Sequence, residues 1–363
     1  MAIDVAIGGR VAFVTLNRPA VLNALSLQMI GDLERAMRRA ADEERVGAVL
    51  LRGAGEKAFC AGGDLRALYE SHRDAAELHR DFFIAEYRLD YFLHGFAKPL
   101  IALADGITMG GGMGLAQAAA LRVVGERTRM AMPEVGIGMI PDVGGSYFLS
   151  RLPGALGLYL ALTGTTIGAA DALFAGLADL YLAPAAMARI EETLGALAGG
   201  ASPGVASPGG ALRCADVRAA LEAVAAAAPT AALAPLAPLS PAIDRHFTHA
   251  GVPAILASLQ AEADPQFASW AAETAELLRR RSPTMLAVAQ RLLERGKRLT
   301  LAECFRMEFG VVQHCFRQGD FLEGVRALII DKDKRPVWRP QRIEEVSESM
   351  VEAFFREPPP LAL

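Results

Sequence analysis

Glu134 and Asp142 are the only charges in Ala131-Met-Pro-Glu-Val-Gly-Ile-Gly-Met-Ile-Pro-Asp-Val-Gly-Gly145. A carboxylate set among glycines and apolar side chains loses hydration. Its pKa then rises toward the range where it can exchange protons near neutrality. Such a group can act as a general base or acid, or attack an electrophilic carbon directly. An ordinary structural role is also open to each: Glu134 follows Met-Pro and can cap a helix, and an aspartate after proline is a common turn residue.

Two glycine turns lie upstream, Ala61-Gly-Gly63 and Gly110-Gly-Gly112, the second followed by Gly114. Glycine lets a backbone come close to a ligand and tolerates positive φ. Amides at the start of a helix point outward, at the positive end of its dipole. Two such turns from separate strands can aim two N–H groups at one oxygen, the construction of an oxyanion hole. Tight turns with no ligand would give the same sequence. Gly110-Gly-Gly-Met-Gly114 does not have the Gly-x-Gly-x-x-Gly spacing, and no suitably placed acid follows, which argues against a dinucleotide site.

These residues need elements to hold them. Val11–Leu16 reads as a strand ended by Asn17-Arg-Pro19, and Ser26 as the cap of a helix over 27–44. Residues 46–52 read as a buried strand, and Asp64 as a helix cap after the first glycine turn. A helix is expected over 71–97, short strands at 99–104, 123–124 and 130–132, and a helical stretch over 146–170 broken at Thr163-Gly164. Strand, glycine turn and helix alternate, which implies an α/β architecture with ligand groups at the strand-to-helix turns. The expected organisation is a catalytic core over 1–182, an Ala/Pro-rich connection with short helices over 183–245, and a helical C-terminal region over 246–363. Gly199–Gly210 within the connection reads as flexible. Thr300-Leu-Ala-Glu303 is a capping box.

The 363 residues are 52% apolar and carry a net charge of -4, so a large core can form and no global basic surface for nucleic acid exists. The longest uncharged run, 223–243, holds four prolines, which argues against a membrane-spanning helix. Cys60, Cys214, Cys304 and Cys315 form no Cys-x-x-Cys pair and read as reduced thiols. The opening Met-Ala-Ile-Asp shows no secretory or transit pattern, so a cytoplasmic location is expected. Three further candidates read as ordinary structure. Cys60 has no evident histidine base and reads as a buried thiol. His246 and His249 lack an accompanying ligand set, and Asp331-Lys-Asp-Lys-Arg335 lacks most positions of a calcium loop.

The segments Leu16-Asn-Arg-Pro-Ala-Val-Leu-Asn-Ala-Leu25, Ala58-Phe-Cys-Ala-Gly-Gly-Asp64 and Asp105-Gly-Ile-Thr-Met-Gly-Gly-Gly-Met-Gly114 together resemble the crotonase, or enoyl-CoA hydratase/isomerase, superfamily. Met132–Gly145, Ser282-Pro-Thr284, Met307-Glu308, Gly319–Lys334 and Trp338 resemble its 3-hydroxyisobutyryl-CoA hydrolase branch. The resemblance implies a crotonase-like fold of repeated ββα units with a helical C-terminal region. It implies hydrolysis of a short 3-hydroxyacyl-CoA, with coenzyme A as part of the substrate, no separate cofactor, no metal, and a possible homo-oligomer. Gly63 and Gly111 would donate the oxyanion amides, and Glu134 would be the catalytic carboxylate, by attack or through water. Asp142 would bind the 3-hydroxyl or orient Glu134, and Glu86 would reach the same pocket. Leu25, Ala61 and Asp64 would line the coenzyme A site, with Arg18, Lys57 and Arg66 as candidate phosphate partners. Hydratases of the superfamily carry a first catalytic glutamate where this chain has Gly114, and glycine where it has Asp142. Hydration or isomerisation of an enoyl-CoA, and acyl-CoA binding without catalysis, remain alternatives.

Overall fold

The computed structural model describes residues 2–74, 76–197, 211–225, 234–356 and 361–363. The expected flexible stretch Gly199–Gly210 lies outside them. The chain folds into two compact units, each assembled from separate stretches of sequence.

The first unit comprises Met1–Gly63, Arg88–Met130 and Ile167–Ala237. Its strands are β1 (Ile3–Gly8), β2 (Val11–Leu16), β3 (Ala48–Gly53), β4 (Ala58–Cys60), β5 (Leu100–Leu103), β6 (Ile107–Met109), β7 (Leu121–Val124), β8 (Arg129–Ala131) and β9 (Leu180–Tyr181). A six-stranded sheet runs β1-β2-β3-β5-β7-β9, and a three-stranded sheet runs β4-β6-β8. Only β1 and β2 pair antiparallel in the large sheet; the pairs from β2 to β9 are parallel. From β3 onward consecutive strands therefore go to alternate sheets, which is the ββα repeat implied by the resemblance. Ala48, Val49, Leu50 and Leu51 of β3 are all buried, as a strand covered on both faces requires. The core gathers Val11, Phe13, Leu50, Ile101, Leu121 and Val123. Helix α1 (Leu27–Asp42) buries Met29, Ile30, Leu33, Met37 and Ala40, and the Ser26 hydroxyl caps it by accepting from the Met29 amide.

The second unit comprises Asp64–Tyr87, Ala131–Thr166 and Pro238–Leu363 and is mainly helical. Asp64 caps α2 (Leu65–Arg73) by accepting from the Ala67 amide. The helix expected over 71–97 is instead two: α2 ends at Arg73, and α3 runs Leu78–His94. Helix-forming residues fill the joint, so periodicity alone carries no sign of the break. The stretch 146–170 is also more divided than expected. A short helix (Gly145–Phe148), a 3₁₀ turn (Leu149–Arg151) and a helix (Leu156–Thr163) follow one another, ended by left-handed Gly164 at φ 64°. The C-terminal part supplies α4 (Pro283–Gly296), α5 (Leu301–Gln318) and α6 (Asp320–Val325). The expected capping box opens α5, with Thr300 and Glu303 each holding the other's amide. No helix among the described residues is long and apolar enough to cross a membrane.

Candidate active site

In the first unit the two glycine turns are built against each other. A Cβ on Gly112 would lie 2.1 Å from the Cys60 carbonyl oxygen, closer than any real side chain. Gly62 has φ 95°, and a Cβ there would sit 3.1 Å from the Met109 carbonyl oxygen and 3.5 Å from the Gly111 nitrogen. The backbone of Cys60–Gly63 is thus laid directly on that of Met109–Gly112. Gly111 is the first residue of the short helix Gly111–Gln117, where an amide has no acceptor within the helix. Gly114, buried on the same helix, has no side chain to offer.

The early signature segment supports this arrangement. Leu22 and Asn23 both adopt left-handed backbone, at φ 55° and 56°. Asn23 is fully buried and acts as a pivot: its Oδ1 accepts from the Arg18 amide at 2.9 Å, and its Nδ2 donates to the Ala54 and Ala58 carbonyls at 3.0 and 2.9 Å. The turn then pairs with the first glycine turn. The Leu25 amide donates to the Gly62 carbonyl at 2.8 Å, and the Ala61 amide to the Leu22 carbonyl at 3.0 Å. Leu25, Ala61, Gly63 and Gly111 are therefore brought together by backbone contacts within one unit.

The second unit holds the acids. Glu134 opens a 3₁₀ turn (Glu134–Ile137) behind Pro133 and is buried. Its Oε2 is buried without a hydrogen-bond partner. Burial first, and the neighbouring Asp142 charge second, hold its carboxyl well above the usual range. Asp142 is also buried, and burial pushes it up to about 6 against the pull of a hydrogen bond from Tyr87. That bond runs from the Tyr87 hydroxyl to Asp142 Oδ2 at 2.6 Å. Glu86, next to Tyr87 on α3, is buried and near enough for its charge to raise the Tyr87 phenol. Asp64 belongs to this unit too, where its side chain caps α2.

Two contacts around these acids could not be read from the sequence, although Met307-Glu308 is part of the family resemblance. Tyr87 looks like one aromatic of many on α3, yet it is wholly buried and reaches Asp142. Glu308 on α5 is wholly buried and accepts from the Gly144 amide at 2.8 Å, the Ser146 amide at 2.8 Å and the Ser146 hydroxyl. Burial pushes Glu308 up to about 8, opposed by the bonds from Ser146 and Gly144. The Glu134 turn also rests directly on α6. A Cβ on Gly138 would lie 2.2 Å from the Asp320 carbonyl, and one on Gly324 would lie 2.4 Å from the Ile137 carbonyl oxygen.

The remaining candidates have the following surroundings. Cys60 is fully buried in β4. His246 is buried between Ser258, 2.7 Å from Nδ1, and Glu262, 2.9 Å from Nε2, and no metal-binding cluster exists among the described residues. Asp331 and Asp333 both accept from Arg326, so a guanidinium neutralises that turn. Arg18 donates to the Ala24 carbonyl and Arg66 to the Ile329 carbonyl, while Lys57 is exposed.

Residues 11–355 match the family model described as enoyl-CoA hydratase/isomerase. The chain belongs to the enoyl-CoA hydratase/isomerase family. Among proteins of this family, the mitochondrial 3-hydroxyisobutyryl-CoA hydrolase of Danio rerio is 40% identical over 96% of this chain and 87% of its own length. The enzyme of the same name from Gallus gallus is 37% identical over the same shares. A solved structure from Mycobacterium thermoresistibile, titled a carnitinyl-CoA dehydratase, is 38% identical with a TM-score of 0.85, covering 98% of this chain and 96% of its own. The α/β crotonase-like fold expected from the resemblance is thereby established. The cytoplasmic location expected from the N-terminal residues and cysteines does not stand, because these relatives are named as mitochondrial proteins. Free thiols indicate reducing surroundings and do not identify a compartment.

Proposed function

We propose that this chain hydrolyses 3-hydroxyisobutyryl-CoA to 3-hydroxyisobutyrate and free coenzyme A, a step of valine breakdown. The observation that carries the reading is the buried pair of Glu134 and Asp142, with glycine at 114. Adding water across a double bond with two glutamates needs a carboxylate at position 114, and none is there. A thioester hydrolase needs one carboxylate at the carbonyl and an oxyanion hole for the charge that develops.

In this reading the Gly63 and Gly111 amides donate to the thioester oxygen. Glu134 either attacks the carbonyl carbon, giving a mixed anhydride that water opens, or takes the proton of a water that attacks. On both routes the C–S bond breaks, water supplies the new oxygen, and the thiol leaves with a proton. Asp142 accepts from the substrate 3-hydroxyl. Glu86 contacts the acyl group, and Leu25, Ala61 and Asp64 line the coenzyme A portion. Coenzyme A is part of the substrate, and no further cofactor takes part. Self-association belongs to the same proposal and is read by light scattering.

The alternative is hydration or isomerisation of a short enoyl-CoA, in keeping with the solved relative named as a carnitinyl-CoA dehydratase. The two reactions separate in one assay series. With 3-hydroxyisobutyryl-CoA the purified protein is expected to release free thiol, and Glu134→Gln to lower that rate by about 10²–10⁴. With crotonyl-CoA the enoyl absorbance is expected to persist. Loss of that absorbance without thiol release would favour the hydratase reading. Thioester binding with no turnover of either compound would favour a non-catalytic protein.

A further inference from the structure

We propose that Tyr87 and Glu308 are positioning residues that fix Asp142 from two helices and so make the enzyme selective for acyl groups bearing a 3-hydroxyl. This rests on the reading above that Asp142 accepts from that hydroxyl.

The backbone after Asp142 is not a relaxed one. Val143 has φ 51°, left-handed backbone that a β-branched residue rarely adopts, and Gly144 follows at φ 84°. Such strain persists only where the surroundings over-determine it, and it gathers at functional sites. Here the restraint is visible. The Gly145 amide closes the turn onto the Asp142 carbonyl at 2.7 Å. Glu308 then grips the next residues, taking the Gly144 amide on one oxygen and the Ser146 amide and hydroxyl on the other. Glu308 is fully buried on α5, so it acts on the site through this turn.

The side chain of Asp142 is held from α3. Tyr87 donates to Oδ2, and its ring is wedged among Phe83, Phe305 and Phe309, with centroids 5.9, 5.5 and 6.3 Å away. Burial, followed by the Asp142 and Glu308 charges, raises the phenol well above its ordinary pKa, so it stays a donor. With Oδ2 committed to Tyr87 and the backbone fixed by Glu308, the carboxylate presents one edge in one orientation. A group held in this way discriminates a ligand hydroxyl from its absence, and a freely turning one does not.

The test uses binding without turnover. In the Glu134→Gln protein, dissociation constants are measured by calorimetry for 3-hydroxyisobutyryl-CoA and for isobutyryl-CoA, which lacks the hydroxyl. The hydroxylated ligand is expected to bind at least about tenfold more tightly, as a hydrogen bond to a carboxylate allows. Adding Tyr87→Phe or Glu308→Gln is expected to bring the ratio to within about threefold, with isobutyryl-CoA affinity changed by less than about twofold. Ser146→Ala, which leaves both amide bonds to Glu308, is expected to give an intermediate ratio and keeps the test open should Glu308→Gln not fold. Parallel weakening of both ligands, or a ratio that survives Tyr87→Phe, overturns the proposal. So does a ratio near one in the Glu134→Gln parent. If the unaltered protein releases no thiol, the hydrolase reading fails separately.

Discussion

Asp142 adds a negative charge that raises the Glu134 carboxyl, and its own Oδ2 is taken by the Tyr87 hydroxyl. Both routes proposed for Glu134 need the ionised form, so activity should fall on the acid side with a midpoint above the ordinary glutamate value of about 4.3. That midpoint belongs to the two carboxyls together. Asp142→Asn removes the charge and leaves the burial of Glu134 in place. Its residual kcat/KM should be lower, and the acid limb should move to lower pH. A pH profile of thiol release from about pH 5 to about pH 9 reads the shift. An acid limb that stays put or moves upward would show that the Asp142 charge does not act on the catalytic group. Glu134 and Asp142 were legible in the sequence because they stand alone in an apolar, glycine-rich stretch. Glu86 was separable from other helix charges only through the family resemblance. Tyr87 and Glu308 were not legible as site residues, because what distinguishes them is a contact. Tyr87 meets Asp142 across 55 positions, and Glu308 meets Gly144 across 164.

The Glu134 turn is placed by close backbone contact with α6, and glycine at 138 and 324 permits it. Gly324→Ala would set a methyl 2.4 Å from the Ile137 carbonyl oxygen, with backbone rather than a flexible side chain as the neighbour. Either α6 or the catalytic turn must move. The expected cost is roughly 1–3 kcal/mol of stability, as for overpacked cores, together with a loss of kcat. Urea unfolding and the thiol assay read both. Gly195→Ala is the comparison: it meets nothing within 4 Å and lies on a helix, where alanine should stabilise by about 0.5–1 kcal/mol. Equal behaviour of the two variants would remove the argument. The sequence showed those elements whose signal is local. The β2 and β3 strands, the Ser26 cap of α1 and the Thr300–Glu303 capping box follow from alternation, apolar runs or short-range polar pairs. β4 and β6 read as parts of the glycine turns, since each is three residues long and is defined as a strand by pairing within the sheet β4-β6-β8.

At the scale of the whole molecule, acids buried for function leave a signature in global stability. Glu134 and Glu308 are raised by burial in the folded chain, Glu308 to about 8. In the unfolded chain the same groups return to about 4.3. Between these values the folded state holds protons that the unfolded state has lost, so stability must fall as pH rises through the window. Other groups overlap little with its upper end. The acids held low by arginines, Asp179, Glu323 and Glu352, lose their contribution only at acid pH. His79, His94 and His314 are lowered by burial, so they add stability as pH rises through about 6.5, a gain that fades above about pH 7. Cys304 and Cys315 are raised, and matter only once unfolded thiols ionise, above about 8.5. The clean interval is therefore about pH 7 to about pH 8, where the urea midpoint should drop by a few tenths molar. Glu308→Gln removes the titrating group and should flatten the dependence. A midpoint that holds steady or rises over this interval would mean that Glu308 is already ionised at pH 7. The three donors around it, the Gly144 and Ser146 amides and the Ser146 hydroxyl, would then outweigh its burial.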